Sequence, residues 1–318
     1  MTTTLESQDA GSGATCHPLV WLPFDPAPLA PLPTGLRVVV GDPAVVVPAE
    51  LDEVELLVVE GPGRAPLGEL VPRMPRLRIV QTISAGVDGL AQRLPSGITL
   101  CNGKGLHDAA TAELAVGLTL AAQRDLPTFQ RQQLAGTWAT TLAPGLADQR
   151  VMILGHGSVG SAIAARLRGF EVEIVPVART ARDGVHGLAE LGALLPTVDV
   201  VIVVVPLTDE TRGLVDAAFL GSMKTGALLV NVARGPVAVT ADLVAACAAG
   251  RIRAALDVTD PEPLPAGHPL WHTANVLITP HVGGYSAAMW PRIHRFLRAQ
   301  LGRVAAGLPP ANVVHGAY

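Results

Sequence analysis

Three short segments carry polar side chains of complementary chemistry in apolar surroundings. They are Val230-Asn-Val-Ala-Arg-Gly235, Ala255-Leu-Asp-Val-Thr-Asp-Pro-Glu-Pro-Leu264 and Ile278-Thr-Pro-His-Val-Gly-Gly284. Each follows or ends an apolar run of strand length. Arg234, the pair Asp257 and Glu262, and His281 are therefore expected at the carboxyl ends of strands, the edge where ligands bind in open α/β sheets. An arginine offers a planar fork of donors that can hold a carboxylate bidentately. A histidine can deliver a proton to a carbonyl oxygen near neutral pH, and a carboxylate beside it orients the ring and favours its charged form. Taken singly, Arg234 or Glu262 is an ordinary surface ion-pair residue, and a histidine after Thr-Pro is an ordinary loop residue. At three adjacent strand ends they suffice for carbonyl reduction, given a hydride source beside them. His17, His107, His268 and His272 have no such context and are given no role.

The elements that must position these groups start at Val151-Met-Ile-Leu154. This apolar run leads into Gly155-His-Gly-Ser-Val-Gly160, and Ser161-Ala-Ile-Ala-Ala-Arg-Leu167 continues with helical spacing. The pattern is strand, tight glycine turn, helix. Gly155 allows the turn, Gly157 lets a phosphate approach the backbone, and Gly160 lets helix pack on strand. A pyrophosphate can then sit at the helix amino end. A dinucleotide held there supplies the hydride.

In NAD-binding units an acidic residue about 20 positions beyond the glycines takes the ribose hydroxyls. Here that strand ends Val175-Pro-Val-Ala-Arg-Thr180, with no carboxylate and with Ala178 where one is expected. Arg179, supported by Thr180 and by Arg182, suits a 2'-phosphate, so NADP is favoured over NAD. The plainer reading makes Arg179 a solvated arginine and the selectivity loose.

The 318 residues suggest two domains. Residues Met1 to about Pro18 read as a frayed tail without the pattern of a signal peptide. After a proline-rich entry, strand-length runs at 36–40, 54–59, 77–80 and 98–101 indicate a small α/β unit. The run at 77–80 leads into Gln81-Thr-Ile-Ser-Ala-Gly-Val-Asp88, where the small residues Ser84, Ala85 and Gly86 leave backbone N–H groups able to bind a carboxylate. A long helix is expected over 107–123. Lys104 before it reads as a solvated loop lysine, and Glu113 as a helix-surface or interdomain residue. Strands at 151–154, 172–177, 200–205, 227–232, 254–258 and 276–279, with helical connections, match a doubly wound dinucleotide domain. A closing helix over 287–307 repeats Ile293, Phe296, Leu297, Leu301 and Val304 on one face.

Composition excludes other classes. Hydrophobic residues make up 49% and charged residues 16%, and no apolar run approaches the roughly 18 residues of a membrane span. The net charge of −4 gives no basic surplus for nucleic acid. Cys16, Cys101 and Cys247 show no metal-ligand or redox spacing, and no metal site is expected. They fit reduced thiols in a cytoplasm.

Over residues 77–290 the sequence resembles the D-2-hydroxyacid dehydrogenase family, through Asn231-Val-Ala-Arg-Gly-Pro236, Ala255-Leu-Asp-Val258 with Glu262-Pro-Leu-Pro265, Thr279-Pro-His281 and the glycine fingerprint. The resemblance implies a catalytic set of Arg234, Glu262 and His281, with Arg234, His281 and the amides of Ser84, Ala85 and Gly86 binding substrate. It implies that Asp257 contacts the nicotinamide carboxamide. Thr111, His156, Ser158, Val159, Val205, Pro206, Val232, Ala233, Gly283 and Gly284 join the glycines, Arg179 and Thr180 on the cofactor side. The implied fold is a pair of doubly wound parallel sheets. A Rossmann cofactor domain at 107–284 is inserted into a flavodoxin-like substrate domain at 1–106 and 285–318, and two copies form a homodimer through the cofactor domain.

Departures narrow the substrate. Formate dehydrogenases of the superfamily pair their histidine with glutamine, where this chain has Glu262, and phosphite dehydrogenases carry a lysine where it has Ala85. The short stretch after the closing helix disfavours the appended regulatory domain of many phosphoglycerate dehydrogenases. The expected function is reduction of a small 2-keto acid such as glyoxylate or hydroxypyruvate, with Met289 and Trp290 as pocket or core residues. The alternative is a dinucleotide-sensing protein resembling the corepressors built on this fold.

Overall fold

A computed structural model describes residues 4–6, 17–61, 63 and 65–315. The chain divides into two compact units, Met1–His107 with Ala287–Tyr318, and Asp108–Ser286.

The first unit is built on β1 (Thr4–Glu6), β2 (Leu19–Leu22), β3 (Arg37–Val40), β4 (Val54–Val59), β5 (Ile79–Thr82) and β6 (Thr99–Cys101), with the short helix α1 (Leu67–Leu70) between β4 and β5. The order is β1-β3-β2-β4-β5-β6, parallel except for β1. Without β1 this is the flavodoxin-like order 2-1-3-4-5. Alternate residues serve two core layers: Leu19, Trp21 and Leu57 face one side, and Val20, Leu22, Leu56 and Val58 the other.

Two expectations for this unit are corrected. The segment expected to fray contains β1, which pairs antiparallel with β3 in the register Thr4↔Val39 and so covers an edge strand whose N–H and C=O groups otherwise lack partners. Residues 1–3 and 7–16 of the expected tail, including Cys16, lie outside the described residues. The strand expected at 77–80 runs over Ile79–Thr82. Gln81 and Thr82 are polar yet fully buried, because each side chain is satisfied. Gln300 Nε2 donates to Gln81 Oε1 at 2.7 Å, and the Thr82 hydroxyl donates to Ser84 O at 2.7 Å.

The second unit opens with α2 (Asp108–Gln123) and α3 (Leu126–Leu134), and its sheet comprises β7 (Arg150–Leu154), β8 (Glu173–Ala178), β9 (His186–Gly187), β10 (Val200–Val203), β11 (Leu228–Asn231), β12 (Arg253–Leu256) and β13 (Val276–Ile278). All are parallel in the order β13-β12-β11-β10-β7-β8-β9, a Rossmann order with a seventh strand. Val151–Leu154 are buried on both faces, as a central parallel strand requires. On one face Met152, Leu154, Val201 and Leu229 pack with Phe219 and Leu220 of α6 (Ala217–Ser222) and with Leu243 and Cys247 of α7 (Thr240–Ala248). On the other, Val151, Ile153 and Ile202 pack with Ala112, Ala115 and Leu118 of α2 and Ile163 and Leu167 of α4 (Ser158–Leu167). The connection expected as one helix around 188–195 is a chain of short turns with only Leu191–Leu194 α-helical, α5. Met289–Ala305, α8, completes the first unit and gives Ile293, Leu297 and Leu301 to its core.

Candidate active site

The second unit brings the three signature segments together. β11, β12 and β13 are neighbours and run parallel, so the loops carrying Arg234, Asp257 with Glu262, and His281 leave the same sheet edge as the glycine loop after β7.

The glycine loop has the shape its sequence suggests. A Cβ on Gly155, at φ +113°, would lie 2.7 Å from Val204 O. One on Gly160 would lie 2.0 Å from Gly155 O, so both positions exclude a side chain. A Cβ on Gly157 would meet nothing, which leaves open space beside the first turn of α4, a ten-residue helix without a side-chain cap. That cradle fits a pyrophosphate. Burial, with a smaller contribution from the Arg182 charge, lowers the pKa of the His156 imidazole. Its buried Nδ1 has no partner among the described residues. Arg182 Nη2 donates to His156 O at 3.0 Å, and Arg179 Nε lies 2.9 Å from Glu210 Oε2. Thr180 is exposed.

Arg234 sits between two tethers. Asn231 Nδ2 donates to its carbonyl at 3.1 Å while Asn231 Oδ1 accepts from Ala233 N at 3.0 Å, and Arg234 Nη1 donates to Ala233 O at 2.7 Å. Asn231, which the sequence offered only as part of a signature, is thus the clamp of that loop.

His281 adopts a left-handed backbone, φ +54°. Asp257, 3% exposed, explains how it is held. Its Oδ1 accepts from the Thr279 hydroxyl at 2.6 Å and from Val282 N at 2.9 Å, and its Oδ2 accepts from Gly283 N at 2.8 Å. Its carbonyl accepts from His281 N at 2.7 Å. The Thr111 hydroxyl donates to Gly283 O at 3.3 Å. His281 Nδ1 meets Glu262 Oε1 at 2.5 Å. An ionised carboxylate only accepts, so Nδ1 carries the proton and Nε2 is left for a reacting atom. Val205, Val232 and Ala233 are buried, while Pro206 is exposed and Gly284 half-buried.

In the first unit, Ser84, Ala85 and Gly86 follow β5. The Ser84 carbonyl accepts from Gly103 N at 2.8 Å, and the Ala85 carbonyl from Asn102 Nδ2 at 3.0 Å. Lys104 is exposed in the next loop, and in the second unit Glu113 is exposed on α2. Trp290 stacks on His294 and meets Phe24 edge-on, with ring centroids 5.6 and 5.3 Å apart. Among the described residues no group of three or more histidine, cysteine, aspartate or glutamate side chains is placed to hold a metal.

Comparison with known proteins agrees with this geometry. Residues 116–283 match the family model described as D-isomer specific 2-hydroxyacid dehydrogenase, NAD binding domain. The chain is 38% identical over 221 residues to the glyoxylate reductase/hydroxypyruvate reductase of Mus musculus, covering 65% of this chain and 67% of that protein. It resembles the structure of a D-isomer specific 2-hydroxyacid dehydrogenase from Xanthobacter autotrophicus Py2 in complex with NADPH and MES, with TM-score 0.78, 34% identity and coverage of 93% and 98%. It also resembles an NADPH-dependent glyoxylate/hydroxypyruvate reductase from Sinorhizobium meliloti in complex with NADP and malonate, with TM-score 0.78, 30% identity and coverage of 94% and 97%. With its glycine cradle, its His281–Glu262 pair and these relatives, the chain belongs to the D-isomer specific 2-hydroxyacid dehydrogenase family.

Proposed function

We propose that the protein reduces a small 2-keto acid to the D-2-hydroxy acid with NADPH in preference to NADH. The observation that carries this reading is the His281–Glu262 pair on the same sheet edge as Arg234 and the glycine cradle. Residues Gly155–Gly160 and the first turn of α4 hold the pyrophosphate. Thr111, Val205, Pro206, Val232, Ala233, Asp257, Gly283 and Gly284 line the nicotinamide side, and Arg179 and Thr180 take the 2'-phosphate. When bound, the reduced nicotinamide supplies a hydride. Arg234 holds the substrate carboxylate through paired charge-assisted hydrogen bonds. His281 delivers a proton from Nε2 to the keto oxygen, and Glu262 fixes the ring and balances its charge. The amides of Ser84, Ala85 and Gly86, which the family resemblance assigns to the substrate, are suited to binding a carboxylate. The intact acid, base and arginine set favours turnover over the sensing alternative. The relatives above, two of them glyoxylate/hydroxypyruvate reductases, support glyoxylate and hydroxypyruvate as substrates.

A panel of 2-keto acids assayed with both cofactors tests this. At least one acid should turn over, with kcat/KM at least roughly tenfold higher for NADPH, the factor that one charge-assisted hydrogen bond of about 1.5 kcal/mol supplies. Cofactor binding without turnover on any acid overturns the enzyme, and a preference for NADH overturns the cofactor assignment.

The second unit also supports a homodimer. Leu134, Trp138 and Leu142, in and after α3, are 80%, 97% and 102% exposed, and a second copy is the partner we assign to them. Sedimentation should give twice the chain mass, and W138S with L142S should shift it to one chain mass. A monomeric parent overturns the assignment. We place the protein in the cytoplasm. Cys101 and Cys247 are free and buried, burial pushes their thiols up to about 11 and about 12, and no helix among the described residues is long and apolar enough to cross a membrane.

A further inference from the structure

Arg179 is the first residue after β8, and Glu210 lies in the turn after β10. These two strands flank β7 on opposite sides, so the ion pair reaches across the carboxyl end of β7, about two strand spacings or 10 Å, where the glycine loop begins. The pair is water-exposed, at 61% and 60%, and such pairs are weak and separable. The turn beneath Glu210 is stiff. Thr211 is buried, its hydroxyl donates to Pro206 O at 2.6 Å, and its oxygen accepts from Thr208 N at 2.8 Å. The backbone that carries Glu210 is therefore held near the start of the glycine loop, and Arg179 carries its guanidinium on a long side chain. Arg182, the other nearby guanidinium, is already committed to the His156 carbonyl.

We propose that Glu210 is a selectivity residue that restrains the phosphorylated cofactor by competing with its 2'-phosphate for Arg179. This rests on reading Arg179 as the partner of the 2'-phosphate. A 2'-phosphate must take the guanidinium from Glu210 and then sit near a carboxylate of like charge. A ribose with a free 2'-hydroxyl makes neither demand, since Arg179 can remain on Glu210. The residue thus narrows the gap between the two cofactors that Arg179 alone sets, and it eases release of oxidised NADP.

Dissociation constants for NADP+, NAD+, 2',5'-ADP and 5'-AMP, measured calorimetrically on the parent, E210Q, R179A and the double variant, test this without reference to turnover. E210Q should tighten NADP+ and 2',5'-ADP about three- to tenfold, as expected for releasing one exposed ion pair and one repulsion. NAD+ and 5'-AMP should change by less than about twofold. In the R179A background the gain should fall to about twofold or less, because the competition needs both partners. Equal tightening of all four ligands, no tightening, or a full gain that persists in R179A overturns the proposal while leaving NADPH preference intact. Unchanged NADP+ affinity in R179A instead removes the assignment of Arg179, and the competition with it.

Discussion

Replacing His281 with alanine is expected to lower kcat by about 10²-fold or more while leaving the dissociation constant for NADPH within about twofold of the parent. The expectation follows from where the imidazole is anchored. Its backbone hangs on Asp257, which also holds Thr279, Val282 and Gly283, so the turn keeps its shape when the ring is removed. Only the proton donor is lost. Glu262, 40% exposed, stays solvated beside the vacated position, so the variant does not bury an unpaired charge. E262Q should lower kcat less than H281A, because the amide still accepts from Nδ1 but no longer balances the imidazolium. Parent-like kcat in H281A, measured with saturating NADPH and the preferred keto acid, would overturn the assignment of the acid.

The second large effect needs only one methyl group. Gly235→Ala should destabilise the protein by about 3 kcal/mol and abolish most substrate binding. A Cβ there would stand 1.9 Å from Thr259 O, 2.2 Å from Thr259 C and 2.7 Å from Asp260 N, all backbone atoms that cannot rotate away. Relief requires separating the loop after β11 from the loop after β12. The first carries Arg234 and the second leads to Glu262, so the arginine and the acid pair lose their registration together. Denaturant unfolding and KM should both report the change. Gly267→Ala is the control: its Cβ would meet nothing within 4 Å, and its stability should stay within about 0.5 kcal/mol of the parent. Parent-like stability in G235A would show that the two loops are not locked.

Much of this arrangement was legible in the sequence because the chemistry sits at punctuation points. An apolar run followed by glycine, or by Asn-Val-Ala-Arg-Gly, marks both a strand and what leaves its end, and the parallel order then sets Arg234, Glu262 and His281 on one edge. What escaped depends on partners far away in sequence. β2 is only Leu19–Leu22, pressed against Pro23, and reads as a remnant of the entry segment until its four buried side chains are seen in the middle of a sheet. Gln81 looks like the start of a loop because its burial is made affordable by Gln300, more than two hundred positions later. The holding roles of Asp257 and Asn231 are also hidden, since local sequence does not show which amides a carboxylate or carboxamide will meet. The Arg179–Glu210 pair likewise links the ends of two strands separated by a third.

The first unit is assembled from two stretches of chain, and α8 supplies Ile293, Leu297 and Leu301 to the core layer that contains Val20, Leu22 and Val58. This fixes an order of events during synthesis. The layer cannot close until Leu301 has left the ribosome, whereas the second unit has all its strands once Ile278 has emerged. The early-made sheet therefore waits with one apolar face uncovered, and the cofactor-binding half is the first to acquire a complete core. A nascent chain that has emerged as far as a point between residues 286 and 301 has every strand of the second unit and an open core layer in the first.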